Sequence, residues 1–379
     1  MSNNEPMKSI MQVSAIVLVL MLSIWTGTAA QSTQAGQESR IIEFPDIPGY
    51  KTLKCDLHMH TVFSDGNVWP AIRVQEAKMD GLDAISITDH LEYQPHGKDV
   101  PQTDRNRPYQ LAQQAAKGSD LMIINGAEIT RSMPPGHFNA IFVKDANALN
   151  QEDVMEVFRE AKQQGAFVFW NHPHWTSQKP DGVALLTEMH LQLLEEGLFA
   201  GIEIYNESTY SDEALEIAGS HDLTILGNSD IHSLIDWEHN IPGGGHRPVT
   251  LAFAEERTIG SLREAFEAHR TVVWFDNTLV GDSEYLIPLV ENSLEVSRQP
   301  GKLVEHILIE NRSDADYIVE NHSDFNLHDH ARVFVLKANE TTMVQVKTLE
   351  KLDAFELRLR VLNAFTAPDQ HPMITLRIL

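Results

Sequence analysis

Two histidines two residues apart, His58 and His60, close an apolar stretch that begins at Leu53. Side chains at i and i+2 of a strand share a face, so both imidazoles can reach one ion. A carboxylate, Asp65, follows one loop later, next to Ser64 and Gly66. Further along come Thr88-Asp89-His90, Gly126-Ala127-Glu128, Gly136-His137, Asn171-His172-Pro173-His174 and Ser229-Asp230-Ile231-His232. Each sets a His or a carboxylate at the edge of a short apolar run. One such His alone is more often a hydrogen-bonded core residue, but a set in phase with successive strand ends points to a metal centre. Imidazole and carboxylate without thiolate suit Zn, Mn or Fe in a hydrolytic site rather than a closed structural zinc site.

The elements that must carry these groups alternate in type. Strands are expected at 84–88, 121–125, 138–143, 167–170, 201–205, 224–227 and 250–254, and helices at 71–79, 109–117, 153–164, 183–196, 212–219 and 259–269. Strand–helix alternation predicts an α/β fold with a mostly parallel sheet, closed or distorted into a barrel whose C-terminal strand ends hold the chemistry. The barrel is placed at 50–282. After Gly281 the pattern becomes short strands split by polar turns, which predicts a small all-β, sandwich-like domain over 283–379. Ile309-Glu-Asn-Arg-Ser-Asp314 resembles Val319-Glu-Asn-His-Ser-Asp324, two similar strand–turn units.

The ends and totals narrow the function classes. Lys8, the apolar run from Ile10 to Trp25 and the small residues Gly27, Thr28, Ala29 and Ala30 match a secretory signal peptide over 1–30, followed by a polar linker over 31–49. The run is shorter than the roughly 20 residues of a spanning helix. The expectation is an exported protein, periplasmic or secreted, with no stable membrane insertion after cleavage. Asp plus Glu total 54 against 29 Lys plus Arg, a formal net charge of −25. Such a surface repels polymeric nucleic acid and anionic lipid. The single Cys, Cys55, excludes an internal disulfide and reads as a buried core residue.

The ordered series His58-x-His60-Thr-x-x-Ser-Asp65-Gly, Ile-Thr-Asp-His90, Gly-x-Glu128, His137, Asn-His172-Pro and Ser-Asp230-x-His232 resembles the polymerase and histidinol phosphatase (PHP) superfamily over roughly Leu53 to Gly281. Glu92-Tyr-Gln-Pro95, Met133-Pro-Pro-Gly-His-Phe-Asn-Ala140, Phe169-Trp-Asn-His-Pro173 and His246-Arg-Pro-Val-Thr-Leu251 are similar to the exported Sb-PDE-type phosphodiesterases, which also carry a β-rich C-terminal domain. The resemblance implies a distorted barrel of about seven strands and two or three divalent ions. One ion would take His58, His60, Glu128 and Asp230. A second would share Glu128 and add His137 and His172. A third would take Asp65, His90 and His232, with Asp65 standing where some relatives use a His. It further implies hydrolysis of a small-molecule phosphate ester, in particular a diester, by a metal-bridging hydroxide.

Around the ligands, Asp89 is a candidate to orient a ligand imidazole. His174 is a candidate to protonate the leaving alkoxide, and Arg247 to clamp phosphate bidentately. Trp170, Trp175, Tyr93 and Tyr205 are candidates to line an apolar pocket. Phosphomonoester hydrolysis, amide or lactone hydrolysis on the same kind of centre, and metal binding without catalysis are the competing readings.

Overall fold

A computed structural model describes residues 40–299 and 301–379. The signal-peptide expectation and most of the linker lie outside these residues. No helix among the described residues is long and apolar enough to cross a membrane.

The first part of the chain runs β1 (Lys51–Asp56), α1 (Pro70–Met79), β2 (Ala84–Ile87), α2 (Arg107–Ala115), β3 (Met122–Thr130), β4 (His137–Ile141), α3 (Val154–Gln164), β5 (Phe167–Trp170), α4 (Glu188–Glu195), β6 (Gly201–Asn206), β7 (Thr209–Tyr210), α5 (Asp212–His221), β8 (Thr224–Asn228), α6 (Ile235–Glu238), β9 (Val249–Ala254), α7 (Ile259–Glu267), β10 (Thr271–Phe275), β11 (Thr278–Gly281) and α8 (Ser283–Ser293). Local chemistry sets the helix ends. Asp153 caps α3 by accepting from the amides of Met155 and Glu156, and Gly165, at φ 77°, ends it in the left-handed conformation. Helix α4 starts later than the apolar pattern from 183 suggests. A capping box between Thr187 and His190 fixes the first turn there and leaves 183–187 irregular.

These strands form one curled sheet in place of the expected seven-stranded barrel. Eleven strands follow one path, β19-β11-β10-β9-β1-β2-β3-β4-β5-β6-β7, and β8 pairs with β6 as the twelfth. The count rises because β9, β10 and β11 add an antiparallel meander beyond β1, and β4 inserts antiparallel between β3 and β5. The segments that follow the strands draw the curl together. Met59 forms a single parallel bridge with Ile231 and His90 one with Glu128. The His60 amide donates to the Ile231 carbonyl at 3.0 Å and the Asp230 amide to that of His58 at 2.9 Å.

The C-terminal part adds β12 (Leu294–Gln299), β13 (Glu305–Asn311), β14 (Tyr317–Asn321), β15 (Asn326–Leu327), β16 (Val333–Leu336), β17 (Thr341–Lys347), β18 (Phe355–Val361), β19 (Ala364–Phe365) and β20 (Met373–Ile378). Two four-stranded sheets, β12-β13-β17-β15 and β16-β14-β18-β20, make a sandwich. Residues alternate between buried and more exposed along β13 and β18, as inner and outer faces require. The two similar motifs are the same turn used twice. The Asn311 side chain accepts from the Ser313 amide and donates to the Ala315 carbonyl, and Asn321 does the same with Ser323 and Phe325. Strand β19 leaves the sandwich to pair in parallel with β11. One buried cluster includes Val272, Leu279, Leu286 and Leu289 together with Ile307, Tyr317 and Val361, so both parts share apolar packing.

Candidate metal centre

Strand ends and the turns after them bring all nine expected ligand residues together. Four groups form in which the ligand-type atoms lie within 4.8 Å of one another: His60, Asp65, His90 and His232; His58, Glu128 and His172; His58, His60 and Asp230; His90, Glu128 and His137. The grouping differs in detail from the implied three-ion partition. His60 also faces the Asp65 set, and His90 reaches Glu128.

The donor set fits divalent ions. Buried polar atoms normally find partners, yet His58 Nε2, His60 Nε2, Asp65 Oδ1, Glu128 Oε2, His137 Nδ1 and Asp230 Oδ1 are all buried without a hydrogen bond. Every one of them belongs to an expected ligand, and together they point at a shared space. In the metal-free protein, protons take the place of cations. Burial opposes charge on His58, but Asp230, Glu203 and Glu128 outweigh it and lift the imidazole to about 10. His90 rises to about 11 and His232 to about 9, each against burial, through Glu128 and Asp65 in the first case and Asp65 and Asp230 in the second. Burial, with His232 and His90 beside it, drives His60 down to about 3.

A second layer of groups aims these ligands. Glu203, fully buried on β6, accepts from His58 Nδ1 and Asn228 Nδ2 on one oxygen, and from the His172 amide and Asn206 Nδ2 on the other, all at 2.9 Å. That fixes the His58 tautomer and leaves Nε2 as the ligand atom. Asn171 Nδ2 donates to Glu128 Oε1 at 3.0 Å. Arg73, also fully buried, donates to the backbone carbonyls of His60 and Ile231 and pairs with Glu76, tying two ligand-bearing segments together. A Cβ on Gly66 would lie 2.6 Å from the His60 carbonyl carbon, so only glycine lets the Asp65 loop fold back onto that backbone. His172 and Asp230 hold φ of 29° and 48°, strained for residues with side chains.

The surrounding candidates fare differently. Asp89 does not touch a ligand imidazole. It accepts from the Thr61 amide and from the Thr61 and Ser64 hydroxyls. With its proton committed there, Ser64 Oγ can accept from His60 Nδ1 at 3.3 Å, so Asp89 acts through Ser64. His174 Nε2 lies 2.8 Å from Thr209 Oγ1, whose own proton goes to the Asn206 carbonyl. Burial, then His172, lowers the His174 pKa. That shift disfavours the protonated imidazole that a general acid needs. Arg247 is no phosphate clamp. It is fully buried, with its guanidinium 3.0 Å from Asp56 and 2.6 Å from Asp80. Asp56 in turn accepts from the amide and hydroxyl of Ser229, beside Asp230. Trp170 and Tyr205 are buried in the core, whereas Tyr93 and Trp175 are 52% and 44% exposed. Glu203, Arg73 and Asn171 carry no sequence signal of their own beyond Asn171 preceding His172.

Two expectations follow. Arg247→Ala leaves Asp56 and Asp80 without their cation and should destabilise the protein by roughly 3–5 kcal/mol in chemical denaturation. Wild-type stability with only a raised KM would restore the clamp. Because His58, His90 and His232 hold protons at pH 7–8 and metal needs the neutral rings, ion uptake should release about three protons per chain and tighten as pH rises toward 9. Calorimetry in buffers of different ionisation enthalpy counts them, and pH-independent affinity would contradict this.

The chain matches the PHP domain over residues 56–232 and an Ig-like domain over residues 293–377. A two-domain protein from Bacteroides vulgatus, containing a predicted PHP-like metal-dependent phosphoesterase, is 40% identical, covers 89% of this chain and is itself covered to 98%, at a TM-score of 0.83. An uncharacterized protein of Methanocaldococcus jannaschii is 34% identical over 85 residues, which is 22% of this chain and 36% of that relative's length. A likeness that spans nearly the whole of the Bacteroides protein at that identity makes this chain a member of the PHP-like metal-dependent phosphoesterase family.

Proposed function

We propose that the centre hydrolyses phosphodiesters of small molecules, with His58, His60, Glu128 and Asp230 holding one divalent ion, Glu128, His137 and His172 a second, and Asp65, His90 and His232 a third. The ions, Zn, Mn or Fe by their donors, would supply positive charge at the phosphoryl oxygens and a water of lowered pKa. Glu128 would serve two of these ions, having a place in both the His58–His172 and the His90–His137 groups. Glu203 and the Ser64–Asp89 pair hold His58 and His60 in the ligating tautomer.

The observation that carries the diester reading is that most protein cations near the motifs are already engaged. Arg73 is engaged by Glu76 and two carbonyls, Arg131 by Glu92, Arg247 by Asp56 and Asp80, and Lys179 faces Asp181. Arg105, near Glu92 and Asp89, is the exception, with a buried Nε that makes no hydrogen bond. Glu207 lies close enough to Asp230 and His232 to feel both, adding negative charge. A monoester dianion needs more positive charge around its terminal oxygens than a diester monoanion does, and this surround offers little.

Metal-loaded enzyme should hydrolyse bis(p-nitrophenyl) phosphate with a kcat/KM at least about tenfold above that for p-nitrophenyl phosphate, roughly 1.4 kcal/mol in the transition state. Asp230→Asn should abolish both reactions. Preference for the monoester would overturn the diester assignment. Activity on an aryl ester or amide alone would overturn the phosphoester reading for this chain.

We also read the protein as exported, with a mature N-terminus near Gln31 after Thr28-Ala29-Ala30. N-terminal sequencing of protein from its host decides this, and Met1 retained in the membrane fraction would make the segment an anchor.

A further inference from the structure

The imidazoles of His90, His137 and His172 form a row, with ring centroids 5.7 Å and 5.0 Å apart in succession. Two large, half-exposed aromatic rings flank these histidines, Trp175 against the His137–His172 pair and Tyr93 against His90. Trp175 lies 5.2 Å from the His172 ring and 5.6 Å from that of His137, while Tyr93 meets the His90 ring edge-on at 5.7 Å. Short turns fix both. The Trp175 amide donates to the His172 carbonyl at 2.9 Å, and its own carbonyl accepts from the amides of Gln178 and Lys179. Gln94 Nε2 donates to the His90 carbonyl at 3.0 Å, holding the turn that presents Tyr93. Both turns follow directly from ligand residues, so the rings cannot shift far without the site.

Rings of this size normally bury most of their apolar area. Trp170 and Tyr205 do so, whereas Trp175 and Tyr93 leave 44% and 52% exposed. The unburied faces have the chemistry to stack on a flat apolar group. We propose that Trp175 and Tyr93 are the two walls of the substrate cleft and select a diester whose two ester groups are both flat aromatic rings. The inference rests on the diester reading. Phosphorus seated over these histidines would place one substituent beside His90, where Tyr93 stands, and the other beside His137 and His172, where Trp175 stands. Glu92, next to Tyr93 in sequence, is paired with Arg131.

The test uses Trp175→Leu and Tyr93→Leu, which keep an apolar side chain over the histidines but remove the flat ring, with metal content measured alongside. Each should raise KM for bis(p-nitrophenyl) phosphate about tenfold, as loss of one stacked ring typically does, with little change in kcat or metal content. Methyl p-nitrophenyl phosphate has one ring and should respond to only one of the two variants. Equal losses on both substrates from both variants, or loss of metal, would mean that the rings merely shield the ligands, and would overturn the proposal. Binding separates this idea from the reaction itself. By calorimetry, metal-loaded protein should hold diphenyl phosphate about tenfold more tightly than dimethyl phosphate, and Trp175→Leu should erase the difference. If that preference holds while no diester is turned over, the diesterase reading fails and the aromatic cleft stands. If diesters are turned over without that preference, the cleft fails alone.

Discussion

The structure is organised around a buried set of charges that cannot balance itself. Six histidines and three carboxylates converge at the strand ends, and six of their polar atoms have no hydrogen bond. Burying such groups is costly, and their ion pairs with one another, such as His58 and His60 with Asp230 and His137 with Glu128, offset only part of the lost hydration. The arrangement is tolerable because the layer behind it is nearly complete. Glu203 has four donors, Asp89 three and Asp56 the full engagement of Ser229 and Arg247. A satisfied second layer keeps the unsatisfied first layer rigid. Strain in the backbone at His172 and Asp230 is held in the same way, by neighbours that over-determine it.

What the sequence discloses and conceals follows from where each interaction is encoded. The ligands were legible because a strand end fixes the direction of a side chain locally. His58 and His60 share a face by the two-residue period alone, and Asp230 and His232 follow a strand in the same way. Glu203 sits in Gly-Ile-Glu-Ile-Tyr-Asn, where a strand reading marks it only as polar; its importance lies in four partners, three of them from other segments. Arg73 is similar, a helix residue whose value is two carbonyls 13 and 158 positions away. Arg247 misled for the opposite reason. Arginine is mostly a surface residue, and nothing local shows that Asp56 and Asp80 enclose it.

The same distinction runs through the fold. Helix α3 was legible to its ends because Asp153 and Gly165 punctuate it, but the start of α4 depends on the Thr187–His190 capping box within a longer apolar pattern. Alternation gave the right elements and the wrong count, since period says nothing about whether β9 to β11 continue a ring or extend an edge. The repeated Ile/Val-Glu-Asn-x-Ser-Asp motif was informative because its physics is local, an Asn that closes its own turn. Strand β19 was not, because two residues acquire meaning only by pairing with β11.

The charge of the whole chain gives the centre its last constraint. A protein of net charge −25 repels an anionic phosphate ester at long range, and the guanidinium groups of Arg73, Arg131 and Arg247 are occupied with carboxylates and carbonyls of their own. Attraction for the substrate must then come from whatever neutralises His58, His60, Glu128 and Asp230 themselves. Binding of metal and of ester becomes one coupled equilibrium, in which the site without ions is a poor site for the ester as well. The same economy explains why bare aromatic faces, rather than lysines, stand beside the ligands. Stacking adds affinity for an organic substituent without adding a fixed positive charge, which would compete with the metals for the same carboxylates.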